Sequence, residues 1–244
     1  IMRPLRGLFR KVPSVTIKNA EVTAIDPVSR TVTTSDGQQF GGSHLVLAMG
    51  ARPNFFGIPG TAEHSFPLYS AEDAIALRNR ILELFEEADL DPSRLDHGAL
   101  TFVIVGAGAT GVETAGSLAD MVHDVMPQRY HDLQVERARV ILVDHGQVVL
   151  GPFSERAHEY AAKVLTKKGV ELMLGRSVTE ITNDRVLFAD GTEIRTHCVV
   201  WAGGLKAVTI ESSGALPTAR GGRIDAGQDL AVDGYPGVYA AGDI

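Results

Sequence analysis

Apolar and polar positions along the chain alternate in three rhythms. Thr101 to Val105 is a continuous apolar or β-branched run that leads into Gly106-Ala107-Gly108-Ala109-Thr110-Gly111 and then an Ala-rich segment ending near Asp120. Such a run, bounded by glycine, predicts a strand covered on both faces, followed by a tight turn and a helix. Similar short runs at 44–48 and 140–143, and within the phrase 197–203, predict further buried strands. A second rhythm, shorter and half polar, occupies 15–17, 21–25, 30–34 and 38–40, with turn signals at Asp26-Pro27 and Asp36-Gly37, and predicts a small β-meander. The third is helical. Ala74, Leu77, Ile81, Leu84, Phe85 and Ala88 fall on one face behind a Ser70-x-x-Asp73 capping signal. Ala157, Tyr160, Ala161, Val164 and Leu165 do the same over 155–168, with Ser154 in the cap position and Gly169 as the stop. Residues 5–11 carry basic residues along what reads as the end of another helix.

These elements repeat. Val22-Thr-x-Ile25, Asp36-Gly37 and His44-Leu-Val-Leu-Ala-Met-Gly50 recur in order as Val178-Thr-x-Ile181, Asp190-Gly191 and His197-Cys-Val-Val-Trp-Ala-Gly203, at offsets of 156, 154 and 153 residues. Two copies of one plan follow: a βαβ unit, a three-strand meander, then a parallel strand ending in glycine. The second copy is complete over 100–204. The first enters at its meander, so its own glycine turn is expected upstream of residue 1. The predicted fold class is α/β, with two Rossmann-like dinucleotide-binding domains of three-layer β-β-α build, the first truncated. The expected division is 1–95 with 205–244 as one domain and 100–204 as the other.

Composition narrows the function classes. The 244 residues are 44% hydrophobic, enough for one large domain or two small ones, and no run of 18 apolar residues occurs. A net charge of −7 gives no reason to expect a nucleic acid. Cys198 is the single cysteine and lies in an apolar run. It reads as a buried structural thiol, and no dithiol redox pair exists within the chain. His123 and His131 lack partners at metal-ligand spacing, so no metal site is expected.

The candidate chemistry sits at strand tips. In G-x-G-x-x-G, Gly106 permits the sharp turn, Gly108 lets a pyrophosphate approach the backbone, and Gly111 lets the helix pack on its strand. The unpaired N–H groups of the helix N-terminus then face the pyrophosphate. Asp144, ending the next strand, is placed to accept bonds from an adenosine ribose 2′-OH and to repel a 2′-phosphate, favouring NAD over NADP. It lies 33 residues beyond Gly111, against a usual spacing of ~20, because a polar insertion over 121–139 intervenes. The closing stretch 238–244 likewise reads as a short strand leading into Gly242-Asp243, an acid suited to the hydroxyl groups of a flavin cofactor.

Several longer phrases carry a resemblance. Val22-Thr-Ala-Ile-Asp26, Leu45-Val-Leu-Ala-Met-Gly-Ala51, Asn54-Phe-Phe-Gly-Ile-Pro-Gly60, Leu68-Tyr-Ser-Ala-Glu-Asp-Ala74, the stretch from Val103 through Thr110-Gly-Val-Glu113 to Gly116, Val199-Val-Trp-Ala-Gly-Gly204 and Val238-Tyr-Ala-Ala-Gly-Asp243 appear in this order. The chain resembles the two-dinucleotide-fold flavoproteins of the pyridine nucleotide-disulfide oxidoreductase class, most closely the type II NADH dehydrogenases (NADH:quinone oxidoreductases). The loop 54–60 and the Thr-Gly-Val-Glu phrase discriminate most.

The resemblance implies FAD in the first fold and NADH in the second. Ala48, Gly50, Ala51, Gly242 and Asp243 would line the FAD site, although Met49 departs from the family's usual Thr. Gly106, Gly108, Ala109, Thr110, Gly111, Asp144 and Gly203 would bind NAD(H). Glu113, read as the third position of its helix, is the implied catalytic residue; its plain reading is a carboxylate that favours the helix dipole. A quinone is the implied acceptor, and a homodimer is compatible with the pattern. Membrane association through a missing C-terminal region would place the enzyme peripherally on the cytoplasmic side of the inner or plasma membrane, with this fragment soluble. The competing readings are a reductase of a ferredoxin- or rubredoxin-like carrier and a non-catalytic nucleotide-binding module. A sulfide:quinone oxidoreductase fits less well, since Cys198 is solitary.

Overall fold

The computed structural model describes residues 4–244, Arg220 by its backbone only; the first three positions of the expected 1–95 segment lie outside the described residues. The chain forms two compact units, one from residues up to 52 together with 205–244, the other from 53–204. The boundary expected between 95 and 100 therefore moves to Arg52–Pro53. Packing is the reason: Leu84, Phe85 and Ala88 of the 71–90 helix are fully buried in one core with Phe102 and Ile104, and the Phe85 and Phe102 rings lie 6.1 Å apart.

The 53–204 unit is built on a five-stranded sheet. Its elements are β1 (Phe66–Pro67), α1 (Ala71–Leu90), β2 (Thr101–Val105), α2 (Ala109–Asp120), β3 (Arg139–Asp144), α3 (Glu155–Lys167), β4 (Val170–Leu174), the meander β5 (Val178–Ile181), β6 (Arg185–Phe188), β7 (Glu193–Arg195), and β8 (Cys198–Trp201). The sheet runs β1-β8-β2-β3-β4, parallel throughout. Period-two geometry, with both faces covered, explains why β2 is buried at every position. Phe102 and Ile104 point into the core shared with α1, α2 and α3. Val103 and Val105 point the other way, to Ile181, Val186, Phe188 and Ile194 of the meander. Helices, parallel sheet and meander make the three layers.

Local chemistry sets the ends of the helices. The Ser70 side chain accepts the Asp73 N–H at 3.0 Å and Asp73 Oδ2 accepts the Ser70 N–H at 2.8 Å, closing the capping box of α1. That helix stops at Leu90, before Asp91-Pro92. Ser154 caps α3 by position only: its side chain makes no cap bond, while its carbonyl accepts the His158 N–H at 3.1 Å. Gly169 takes the left-handed φ of +84° after it.

In the other unit, Val22–Asp26, Thr31–Thr34 and Gln39–Gly41 form the expected meander, with Glu211–Ser212 added in parallel at its edge. Leu45–Leu47 pairs in parallel with Val238–Ala240. Its core is small, centred on Ile25, Leu47, Val232 and Val238. The strand expected at 15–17 does not form; Val15 closes a turn onto the Val12 carbonyl at 3.1 Å and stays exposed. The basic segment at 5–11 is helical only over Leu5–Leu8.

The internal repeat extends to irregularities. Each meander's first hairpin shifts register at the matching place, between Val22 and Ala24 and between Val178 and Glu180. At each bulge a threonine hydroxyl donates across the hairpin, Thr23 to the Thr33 carbonyl and Thr179 to the Leu187 carbonyl, both at 3.3 Å. Bulges are built features of a fold, so one shared by offset and by bond marks two copies of one design.

Candidate dinucleotide site

The glycine turn between β2 and α2 stands at the carboxyl edge of the parallel sheet. Gly106 has a φ of +110°, and a Cβ there would sit 2.4 Å from the Ala202 carbonyl oxygen. A Cβ on Gly111 would lie 1.8 Å from the Gly106 oxygen. Both positions therefore demand glycine, because helix and strand leave no room. Gly108 differs: a Cβ there meets nothing within 4 Å. The chain's own packing therefore does not require glycine at this position, and the backbone is open to approach from outside. Gly108 is the N-cap of α2 and supplies no side-chain bond, so the first N–H groups of this 12-residue helix remain for a ligand. Ala109 and Thr110 follow it, exposed.

Asp144 ends β3 beside this turn. Its Oδ2 accepts the Ala107 N–H at 2.6 Å, and its Oδ1 accepts the Gly146 N–H at 2.6 Å. The Leu150 N–H in turn donates to the Ala107 carbonyl at 2.7 Å. The acid thus ties the glycine turn to the 145–150 loop, a bracing role that spacing alone did not suggest. Oδ1 also has the His145 Nδ1 at 3.3 Å, whereas Oδ2 retains a further acceptor site, so this bracing leaves capacity for a ribose hydroxyl.

Between Asp144 and the tip of β8 lies a pocket of about 330 Å³, whose walls include Phe56, Ile58, Gly106, Arg176, Trp201 and Gly203. Trp201 anchors it: the indole N–H donates to the Asn54 carbonyl at 2.9 Å, and its ring lies 2.7 Å from where a Cβ on Gly203 would stand. Gly203 is thereby explained by a ring beneath it. Phe56, Ile58 and Arg176 were not among the residues expected at the site. The 54–60 phrase had been singled out by resemblance, but nothing in its pattern revealed that it folds against β8.

Glu113 does not join this pocket. It is the fifth residue of α2, two residues deeper than its expected third position, because the helix already begins at Ala109. It is exposed, has no hydrogen-bonding or ionic partner among the described residues, and lines a separate groove of about 350 Å³ between α1 and α2 with Leu77, Arg78, Ile81 and Leu118. Cys198 is buried in the core, and burial pushes its thiol up to about 12, which keeps it protonated and inert at neutral pH.

The expected flavin residues lie in the other unit. The parallel pair Leu45–Leu47 and Val238–Ala240 delivers both segments to one edge, where the Ala241 N–H donates to the Leu47 carbonyl at 2.9 Å. Ala48, Gly50 and Ala51 follow one strand, Gly242 and Asp243 the other. Gly50 and Gly242 have φ of +71° and +84°, and a Cβ on Gly242 meets open space. Asp243 is exposed beside it. An open glycine and a free carboxylate at one strand edge fit a cofactor rich in hydroxyl and phosphate groups.

A strand, a glycine turn and a helix at the edge of a parallel sheet, backed by an acid on the next strand, define a dinucleotide-binding α/β protein. The chain belongs to the pyridine nucleotide-disulphide oxidoreductase family, whose model matches residues 10–244. It is 34% identical to the type II NADH:quinone oxidoreductase Ndh of Mycobacterium tuberculosis, over the whole of this chain and 55% of that protein. It is 30% identical to the mitochondrial external alternative NAD(P)H-ubiquinone oxidoreductase B4 of Arabidopsis thaliana, over the whole chain and 45% of that protein. Among solved structures, NDH2 from Plasmodium falciparum in complex with NADH superposes with a TM-score of 0.81 at 19% identity, over 92% of this chain and 49% of that one. The chain spans about half the length of the curated relatives it matches.

Proposed function

We propose that the intact protein is an FAD-dependent oxidoreductase that takes hydride from NADH and delivers electrons to a quinone. The observation that carries this reading is the contrast among the three glycines: two are required by packing, while Gly108 stands open where a pyrophosphate would lie. The names of the sequence relatives supply the substrate pair, NADH and quinone. NADH is assigned to the 53–204 unit, with Gly106, Gly108, Ala109, Thr110 and Gly111 receiving the pyrophosphate and Gly203 flooring the pocket. Asp144 accepts the adenosine ribose hydroxyls and repels a 2′-phosphate, which makes NADH the preferred form. FAD is assigned to Ala48, Gly50, Ala51, Gly242 and Asp243, where the carboxylate would take hydroxyl donors.

Bound FAD would supply the hydride acceptor and the two-electron store that a quinone then empties. The chain's own contribution is positioning. The bond from Ala107 to Asp144 holds the glycine turn before a ligand arrives, lowering the ordering cost of binding. Glu113 is the carboxylate assigned to proton handling, since it is the exposed and unpaired acid of the helix that follows the glycine turn. No helix of the described residues is long and apolar enough to cross a membrane. A quinone acceptor calls for peripheral attachment of the intact protein at the cytoplasmic face of a membrane.

Steady-state oxidation of NADH by the intact, flavin-loaded protein tests the reading, with a soluble quinone and a ferredoxin offered separately. Turnover with the quinone and none with ferredoxin is expected. Turnover with ferredoxin alone would assign the protein to the carrier reductases, and no turnover with either acceptor would refute the enzyme.

A further inference from the structure

Phe56 is under more local constraint than a connecting loop requires. Its backbone is left-handed, with a φ of +52°, and Gly57 follows at +71°. The Ile58 N–H donates to the Phe55 carbonyl at 3.0 Å, so residues 55–58 close a turn with positive φ at both central positions, the arrangement of type I′. Glycine, asparagine and aspartate suit such a position, and an aromatic side chain is an outlier there. Asn54 holds it in place, its Oδ1 accepting the Phe56 N–H at 3.1 Å. The turn separates two adjacent rings. Phe55 turns inward, 6.1 Å from Trp201, whereas Phe56 is 63% exposed and walls the pocket beside Asp144. Its ring tip lies 3.5 Å from where a Cβ on Gly204 would stand.

A rigid aromatic face left in solvent beside a nucleoside-sized pocket has one evident use, since every purine offers a π-face to stack upon. We infer that Phe56 is the adenine platform of the dinucleotide site, packing against the base whose ribose lies at Asp144. The inference rests on the assignment of NADH to this unit and names the residue that reads its adenine half. Glu113, assigned to proton handling, lines a groove separate from this pocket, so the reacting nicotinamide half is assigned away from Phe56.

Calorimetric titration of the intact protein with NADH, AMP and reduced nicotinamide mononucleotide tests it. Phe56→Asn removes the ring but keeps a residue that tolerates the left-handed backbone, so this variant melts no lower than the wild type. It binds NADH and AMP about tenfold more weakly, as loss of one stacked base implies, and binds the mononucleotide unchanged. Phe56→Tyr restores both lost affinities. Unaltered NADH and AMP affinities in Phe56→Asn would overturn the inference, and so would equal losses of AMP and the mononucleotide. If the wild type bound none of the three, the assignment of NADH itself would fail, independently of Phe56.

Discussion

Glycine and aspartate carry different burdens at the carboxyl edge of the sheet, and single substitutions separate them. Gly108→Ala meets open space, so the variant folds with wild-type stability, yet a methyl group in the pyrophosphate's approach lowers NADH affinity at least about tenfold. Gly111→Ala puts a Cβ 1.8 Å from a carbonyl oxygen, and the helix must shift off its strand. That substitution destabilises the unit by more than about 2 kcal/mol and abolishes binding. Thermal melts alongside NADH titrations distinguish the two; equal melting losses in both variants would contradict the assigned roles. The fingerprint was legible in the sequence because its glycines and flanking strand are contiguous. The bracing bond from Ala107 to Asp144 was not, since it joins residues 37 apart through a side-chain orientation that no spacing rule encodes. Phe56 was hidden for the same reason: its positive φ belongs to a turn whose partner, β8, lies far along the chain.

At the scale of elements, long periodic segments declared themselves and short ones did not. The 20-residue α1 and the all-buried β2 follow directly from apolar spacing. Residues 15–17 share the β-branched composition of a strand, but they pair with no strand and stay irregular, so propensity without a partner gives no ladder. Replacing the α1 cap, Ser70→Ala, is expected to lower stability by about 1 kcal/mol while leaving NADH affinity unchanged, as chemical denaturation and titration together would show. The meander offers a test by acid. Asp184, bonded first by the Arg185 guanidinium and then by the Thr182 hydroxyl, has its carboxyl held down to about 2 from an ordinary 3.8. A depressed folded value means the stabilisation is complete above about pH 4 and lost as pH falls toward 2. Arg185→Met should return the Asp184 carboxyl toward 3.8, read by NMR titration, and should flatten the stability loss in that window. An unmoved carboxyl would remove Arg185 as its cause.

For the molecule as a whole, two copies of one plan are present with unequal definition. The 53–204 unit has a complete sheet and two cores, one on each face. The other unit has a meander, a parallel pair and one small core. Sequence periodicity exposed the duplication, and the first hairpin of each copy carries a matched bulge, at Val22 and at Val178. It misplaced the boundary because α1 and the 54–60 loop precede the second copy in the chain yet are held by its core. Duplication also divides the work, with a resident flavin assigned to one copy and a diffusible nicotinamide to the other. On this assignment hydride passes between those two ligands. Anaerobic titration of the flavin-loaded intact protein with NADH, followed in the flavin's visible absorbance band, tests it most directly. Full bleaching is expected at one NADH per flavin in the wild type, with Gly108→Ala requiring a large excess. A flavin that stays oxidised in saturating NADH would contradict it.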